Sequence, residues 1–71
     1  MMWNLDGMFV EGFYMGEFAV RGFVESSRVK YGGEVVHTVV LEKPLKMRWR
    51  ADPAERVLLE HKYVTRVTDR R

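Results

Sequence analysis

The sequence predicts a small all-β fold, either a barrel or a strongly curled antiparallel sheet of five to six strands, with at most one short helical turn. Short segments rich in Val, Phe, Tyr and Thr have the composition of strands. Because a chain of 71 residues has room for one hydrophobic core, we expect a single small β-barrel domain over residues 1–71. Turn signals separate the segments at fairly even intervals, namely Asp6-Gly7, Met15-Gly16-Glu17, Tyr31-Gly32-Gly33, Lys43-Pro44 and Ala51-Asp52-Pro53.

Two similar segments near the N-terminus predict the first pair of strands. Phe9-Val10-Glu11-Gly12-Phe13 resembles Val20-Arg21-Gly22-Phe23-Val24-Glu25. We expect the two segments to pair, with their glycines at positions where a side chain would be crowded.

The longest candidate strand, Phe18 to Tyr31, changes its pattern half-way. Phe18, Val20 and Val24 share one parity at its start, and Val29 and Tyr31 share the other at its end. Side chains alternate between the faces of a strand, so this change of parity requires a bulge or sharp bend. We place it at Ser26-Ser27.

The segment Glu34 to Glu42 is apolar on both faces of the predicted strand. One face belongs to the core, and the other must be covered by another element or another chain. Met1, Met2, Trp3 and Leu5 could fold over that face, or the protein could form a homo-oligomer. The residues predicted for such an interface are Trp3, Phe9, Phe13, Val36, His37 and Val40.

The next segment has a clear strand pattern, and the one after it is compatible with either a strand or a helix. Leu45 to Arg50 alternates strictly between apolar residues and cations, which predicts a half-buried strand with Trp49 in the core. The segment 52–60 is ambiguous, since Asp52-Pro53-Ala54-Glu55 has the form of a helix start. A short helix there remains an alternative to a strand.

The segment Val57 to Val67 resembles the closing element of SH3-like barrels of the KOW, Tudor and Sm type. That resemblance implies a strand, one tight helical turn and a final short strand. Ser27 to Gly33, followed by His37-Thr38-Val39 and Leu41, resembles small proteins encoded by phages and prophages. This second resemblance implies an accessory role, such as sequestering a host protein or a defence factor, and assigns no role to any residue.

Charge and cysteine content limit the function classes. Residues 1–25 carry a net charge of −3 and residues 26–71 a net charge of +5, which favours a polyanionic partner for the second part. The chain has no cysteine, in keeping with a reducing compartment. No signal-like or membrane-spanning apolar run is present in the sequence, so we expect a cytoplasmic protein without membrane contact.

Catalytic and metal sites are not predicted. Ser26 and Ser27 have no identifiable partner in the sequence that would activate them. His37 has the parity of core residues and is interpreted as structural or interfacial, whereas His61 is expected to be solvated. Two histidines without cysteine do not match the usual zinc patterns. We therefore expect no enzymatic activity, no metal and no cofactor.

The remaining constellation combines cations with aromatic rings, a pairing that suits single-stranded nucleic acids and nucleotides. We predict a non-enzymatic binding module for nucleic acid or a nucleotide-like anion. The alternatives are a protein-interaction module, including a phage-encoded inhibitor of a host factor, and a purely structural oligomer. The predicted ligand-binding residues are Arg28, Lys30, Tyr31, Lys46, Arg48 and Arg50.

Overall fold

Five antiparallel strands form one curled sheet in the computed structural model, which describes residues 3–68. They are joined in the order β4-β3-β2-β1-β5. β4 and β5 are therefore the two edges, and the sheet is not closed. The prediction of a small all-β sheet with one helical turn is confirmed. The elements are β1 (Phe9–Tyr14), β2 (Phe18–Val29), β3 (Val35–Leu45), β4 (Ala54–Glu60), a 3₁₀ turn (His61–Tyr63) and β5 (Val64–Thr68).

Two glycines allow the sheet to curl. The predicted pairing of the two similar segments is confirmed, with Gly12 opposite Val20 and Gly22 opposite Val10. A Cβ atom at Gly12 would lie 3.2 Å from Leu59 Cδ2, which shows that β1 and β4 face each other across the interior. At Gly22 a Cβ atom would overlap the backbone carbonyl of Val40. Glycine is required at both positions because backbone or core atoms approach so closely.

The bulge predicted in β2 is present, one residue before the predicted site. The register between β2 and β3 shifts between Val24 and Ser26. Val24 faces the core, and after the bulge Ser27 rather than Ser26 lies opposite the buried His37. The bulge thus turns a polar side chain toward the interior and leaves Arg28 on the other face.

The core lies on one face of β3, as its parity predicts. Val39 and Leu41 belong to the core cluster, and Val36 is buried outside it. Leu5 also packs into the core cluster, so it does not cover the second face of β3. Of the other three residues proposed to cover that face, Met1 and Met2 lie outside the described residues, and Trp3 is 41% exposed.

The strand predicted for Leu45 to Arg50 is wrong. β3 continues through the predicted turn at Lys43-Pro44 to Leu45, and the chain turns afterwards, where the Arg50 N–H donates to the Met47 carbonyl at 3.1 Å. Met47 is buried as the alternation predicts, but Trp49 is 58% exposed. Pairing between β3 and β4 is interrupted from Val40 to Leu45, which makes room for a proline that cannot donate to the ladder.

The last third of the chain forms a strand, a 3₁₀ turn and a short strand, as predicted for the closing element. The alternative of a helix over residues 52–60 is wrong. Val57 and Leu59 both point into the core, and β4 pairs along β3, so its residues follow the period of a strand. Within residues 3–68 no helix has the length and apolar character needed to cross a membrane.

Candidate functional site

A groove of about 680 Å³ brings together three of the six predicted ligand-binding residues. This volume is in the range of small-molecule sites. Its two cations and Tyr31 come from the end of β2 and the hairpin that follows, its second aromatic ring comes from the end of β1, and its apolar floor comes from β3 and β4. We call it the Tyr31 groove, and it is lined by Tyr14, Met15, Arg28, Lys30, Tyr31, Val36, Leu58 and Glu60.

The strands fix one side of the Tyr31 groove. Arg28 on β2 lies opposite Val36 on β3, and Val36 lies opposite Glu60 on β4. These three side chains therefore share one face of three paired strands. The buried Val36 side chain and the half-exposed Leu58 form the floor beneath the charged groups.

The β2–β3 hairpin holds the other side of the groove. The turn predicted at Tyr31-Gly32-Gly33 is present: Gly32 and Gly33 have positive φ values of 100° and 89°, and the Gly33 N–H donates to the Lys30 carbonyl at 2.8 Å. Tyr31 projects from the turn and is fully exposed. Its ring is free to stack on a ligand.

The cations of the Tyr31 groove differ from other arginines of the sheet. Arg21 Nε lies 2.9 Å from Glu42, and Arg56 Nε lies 2.9 Å from Glu25. In the part of the chain that the structure describes, neither Arg28 nor Lys30 forms such an ion pair. Their charges are therefore available to an anion.

The other predicted binding residues lie beyond the opposite end of β3. Lys46, Arg48 and Arg50 are exposed in the turn and line neither of the two cavities. The Trp49 ring packs edge-on against Phe18 at 5.7 Å. Phe18 in turn lies 6.5 Å from Tyr14, so a row of three aromatic rings leads from this turn to the Tyr31 groove.

A second cavity, of about 430 Å³, is less suited to an anion. It contains Arg21, whose guanidinium lies 3.7 Å from Glu11 and 2.9 Å from Glu42. Two carboxylates therefore surround its central cation. Lys43 and Phe13 also line it.

The residues predicted for an interface are split between surface and interior. Trp3 is 41% and Phe13 43% exposed, while His37 is buried within the chain and Val36, also buried, lies at the floor of the Tyr31 groove. Phe9 and Val40 are half-buried. Sequence reasoning missed Phe23, which is 45% exposed and packs edge-on against Phe9 at 5.1 Å. The pairing of the two similar segments could have predicted this contact.

A hydrogen-bonded chain of three side chains lies beside the core and was not predicted. Ser27 Oγ lies 2.7 Å from His37 Nδ1, and His37 Nε2 lies 2.8 Å from His61 Nδ1. The backbone N–H of Leu5 donates to the same Ser27 oxygen at 3.0 Å. His61 was expected to be solvated, but it is half-buried and bonded to His37. The signal in the sequence was the bulge, which turns Ser27 toward His37.

The environment of His37 favours its neutral form. Burial lowers the pKa of His37, and the nearby His61 lowers it further because two positive charges would repel each other, while the Asp6 carboxylate acts in the opposite direction. His37 is fully buried and therefore structural in position. Ser27, His37 and His61 line neither the Tyr31 groove nor the second cavity.

Metal binding has no support within residues 3–68, since no three His, Cys, Asp or Glu side chains there lie close enough to hold an ion. Comparison of the chain with models of protein families, with curated proteins and with solved structures found no significant match. The resemblances to SH3-like barrels and to phage proteins therefore stay predictions.

Proposed function

We propose that the protein is a non-enzymatic binding module that holds a nucleotide or a short single-stranded nucleic acid in the Tyr31 groove. The observation that carries this proposal is that two cations, which pair with no carboxylate of residues 3–68, and one fully exposed ring line the same groove. Phosphate and base are the two chemical parts of a nucleotide. Arg28 and Lys30 suit the first, and Tyr31 suits the second.

The groove supplies a different contact to each part of such a ligand. The guanidinium of Arg28 donates to phosphate oxygens, and Lys30 adds a second positive charge beside it. Tyr31 stacks on a base, and Val36 and Leu58 provide an apolar floor. The Glu60 carboxylate can accept a hydrogen bond from a ribose hydroxyl or a base amino group, while Lys62, 3.6 Å away, offsets its charge.

The turn at Lys46 to Arg50 extends the proposed site for longer ligands. The rings of Trp49, Phe18 and Tyr14 form a row from this turn to the groove. A mononucleotide bound in the groove does not reach the turn. A longer single strand can follow the row, with Arg48 and Arg50 contacting additional phosphates.

Two matched double variants test this proposal. Each removes two cations, and neither breaks an ion pair within residues 3–68. The probes are ATP and a fluorescein-labelled single-stranded oligonucleotide, measured at low salt by calorimetry and fluorescence anisotropy. We expect Arg28→Ala with Lys30→Ala to weaken binding of both probes at least about tenfold, because charged hydrogen bonds are lost. We expect Arg48→Ala with Arg50→Ala to weaken binding of the oligonucleotide alone.

Salt dependence provides an independent measure of the same contacts. Each contacted phosphate of a single strand contributes about 0.7 to the slope of log affinity against log salt. Each double variant should therefore reduce the slope for the oligonucleotide by about 1.4. Equal loss of ATP binding in both double variants would contradict the assignment to the groove, and absence of binding by the unaltered protein would contradict the proposal itself.

The second candidate function is a protein-interaction module, including the inhibitor of a host factor that the phage resemblance implies. It is favoured by the exposed aromatic face on β1 and β2, where Phe13 and Phe23 are 43% and 45% exposed. The same face could join copies of this chain, which we propose as a homo-oligomer. Failure of both probes, together with capture of one stoichiometric protein that resists high salt, would favour this candidate. Light scattering distinguishes a heteromeric complex from an oligomer of this chain.

A further inference from the structure

The hydrogen bonds around Ser27 have a direction that can be derived from their donors and acceptors. The Ser27 oxygen already accepts the N–H of Leu5 at 3.0 Å. If the Ser27 hydroxyl donates to His37 Nδ1, then neutral His37 carries its hydrogen on Nε2 and donates it to His61 Nδ1. Every donor and acceptor of the chain is then used, apart from His61 Nε2.

The opposite direction is less favourable. If His37 Nδ1 donated to Ser27, the serine oxygen would accept two hydrogen bonds, and its own hydrogen would have no acceptor among the side chains and backbone of residues 3–68. No buried side-chain nitrogen or oxygen of the described residues lacks a partner. No atom of residues 3–68 bonds to His61 Nε2, and since no unbonded side-chain nitrogen of these residues is buried, Nε2 meets solvent and is the outer end of the chain.

One added proton reverses the bond at Ser27, wherever the charge settles. The proton can reside on His37, or it can reside on His61 after transfer across the 2.8 Å link between the two rings. In both cases His37 Nδ1 carries a hydrogen that points at Ser27. The serine must then accept instead of donate, and its hydroxyl hydrogen loses its partner. Two protons cannot be held, because two N–H groups would face each other in the link.

Reversal of the Ser27–His37 bond affects the hydrogen bond that attaches the N-terminal arm, residues 3–7, to the sheet. The Leu5 side chain is part of the core cluster, and its N–H is bonded to Ser27. The arm has a second attachment that does not involve the histidines, since the Gly7 N–H donates to the Val24 carbonyl at 2.8 Å. After the reversal Ser27 Oγ can still accept from Leu5, but its own hydrogen has no partner until the arm leaves and water reaches the hydroxyl. Protonation therefore weakens the first attachment selectively.

We propose that Ser27, His37 and His61 form a proton-operated latch, which holds the N-terminal arm against the sheet at neutral pH and releases it in weakly acidic solution. Release exposes the part of the core that Leu5 covers and frees Trp3 to contact another molecule. The device is independent of the groove, because none of its three residues lines it.

The charged groups near the latch are few or already paired, so the protonation of the latch is determined mainly by the two imidazole rings. Asp6 on the arm is the acidic group that favours a proton on His37. Glu60 and Lys62 flank His61 and pair with each other at 3.6 Å. Two further ion pairs lie on the outer face of the sheet. Arg21 pairs with Glu11, and Arg56 pairs with Glu25. Glu55 on β4, Arg28 on β2 and Arg66 on β5 are exposed.

The direction of the His37 shift agrees with release in acid. Its pKa is lowered in the folded protein, so the unfolded chain takes up a proton at a higher pH than the folded one. The stabilisation is complete above the ordinary histidine value of about 6.5 and is lost as pH falls from there through the lowered value.

Amide exchange measured by NMR on the unaltered protein tests the latch. After correction for the intrinsic exchange rate, we expect the protection of the Leu5 N–H to fall about fivefold to tenfold, which corresponds to the lower end of the cost of leaving one polar group without a partner. The fall should begin below about pH 6.5, the ordinary histidine value, and continue as the pH decreases, because the pKa of His37 is lowered in the folded protein. Protection of the Gly7 N–H should stay constant. An unchanged Leu5 amide, or an equal loss at Gly7, overturns the proposal.

A pair of serine variants and the nitrogen chemical shifts of the two histidines test the latch further. Ser27→Ala should remove both the protection of Leu5 and its pH dependence, whereas Ser26→Ala, on the opposite face of the same strand, should retain both. If Ser27→Ala does not fold, the nitrogen chemical shifts of the unaltered protein decide. We expect hydrogen on Nε2 of both histidines at neutral pH, and hydrogen on His37 Nδ1 under those conditions overturns the proposal.

Discussion

The two basic clusters at the ends of β3 have nearly the same composition but very different structural support. Arg28, Lys30 and Tyr31 are placed by paired strands and a two-glycine hairpin, and they line a groove. Arg48, Trp49 and Arg50 stand in a turn outside the strands and line neither cavity.

The difference shows that a pattern of cations and aromatic rings becomes a site only where the backbone holds it. A ligand that binds to a rigid, preformed surface loses less conformational freedom of the protein than one that must order a turn. The Tyr31 groove is preformed in this sense. The turn at Lys46 to Arg50 is attached mainly through Met47, which is buried, and through Trp49 against Phe18.

The largest expected effect of a single substitution is at Met47. Met47→Ala should lower the free energy of unfolding by about 2 to 5 kcal/mol, because a buried side chain is removed and a cavity remains. Lys46→Ala, at an exposed neighbouring position, should change it by less than about 0.5 kcal/mol. Urea denaturation followed by circular dichroism measures both.

Met47→Leu sharpens the comparison if Met47→Ala is too unstable for binding studies. It conserves volume and should cost less than about 1.5 kcal/mol. The folded fraction of Met47→Leu should bind ATP in the Tyr31 groove with unchanged affinity. A loss of ATP affinity in Met47→Leu would show that the two clusters are not separate.

A smaller effect is expected from the exposed rings. Tyr31→Ala should weaken ATP binding by about 1 to 3 kcal/mol, the contribution of one stacked base, and should leave stability unchanged because the ring is fully exposed. Tyr31→Phe keeps the ring and should bind normally. Trp49→Ala should not change ATP affinity, and calorimetry that found equal losses in Tyr31→Ala and Trp49→Ala would remove the distinction between the clusters.

Much of the fold could be predicted because strand periodicity is a local signal. The parity change in β2 predicted its bulge, and the similarity of the first two segments predicted their pairing and the crowded glycines. The failure at Leu45 to Arg50 has a clear cause. Alternation records which side chains point inward, as Met47 does, but pairing requires a neighbouring strand, and β4 provides a partner only for Leu45.

The candidate site was predicted only as far as its residues are close in sequence. Arg28, Lys30 and Tyr31 are neighbours in the chain, whereas the floor of the groove depends on how the sheet curls. The latch joins side chains 10 and 24 positions apart. Its formation also depends on the exact site of the bulge, since a shift of one residue would turn Ser26 rather than Ser27 inward.

The smallest expected effect is the change in stability when a paired or an unpaired arginine is removed from β2. Arg21 and Arg28 are both exposed on β2, but Arg21 is paired with Glu42 and Glu11. Arg21→Ala should lower stability by about 0.2 to 1 kcal/mol at low salt, and less at high salt, as is usual for exposed pairs. Arg28→Ala should leave stability unchanged in the same urea titrations. If Arg28→Ala were as destabilising as Arg21→Ala, Arg28 would be occupied within the fold, and the Tyr31 groove would lose one of the two charges that make it attractive to an anion.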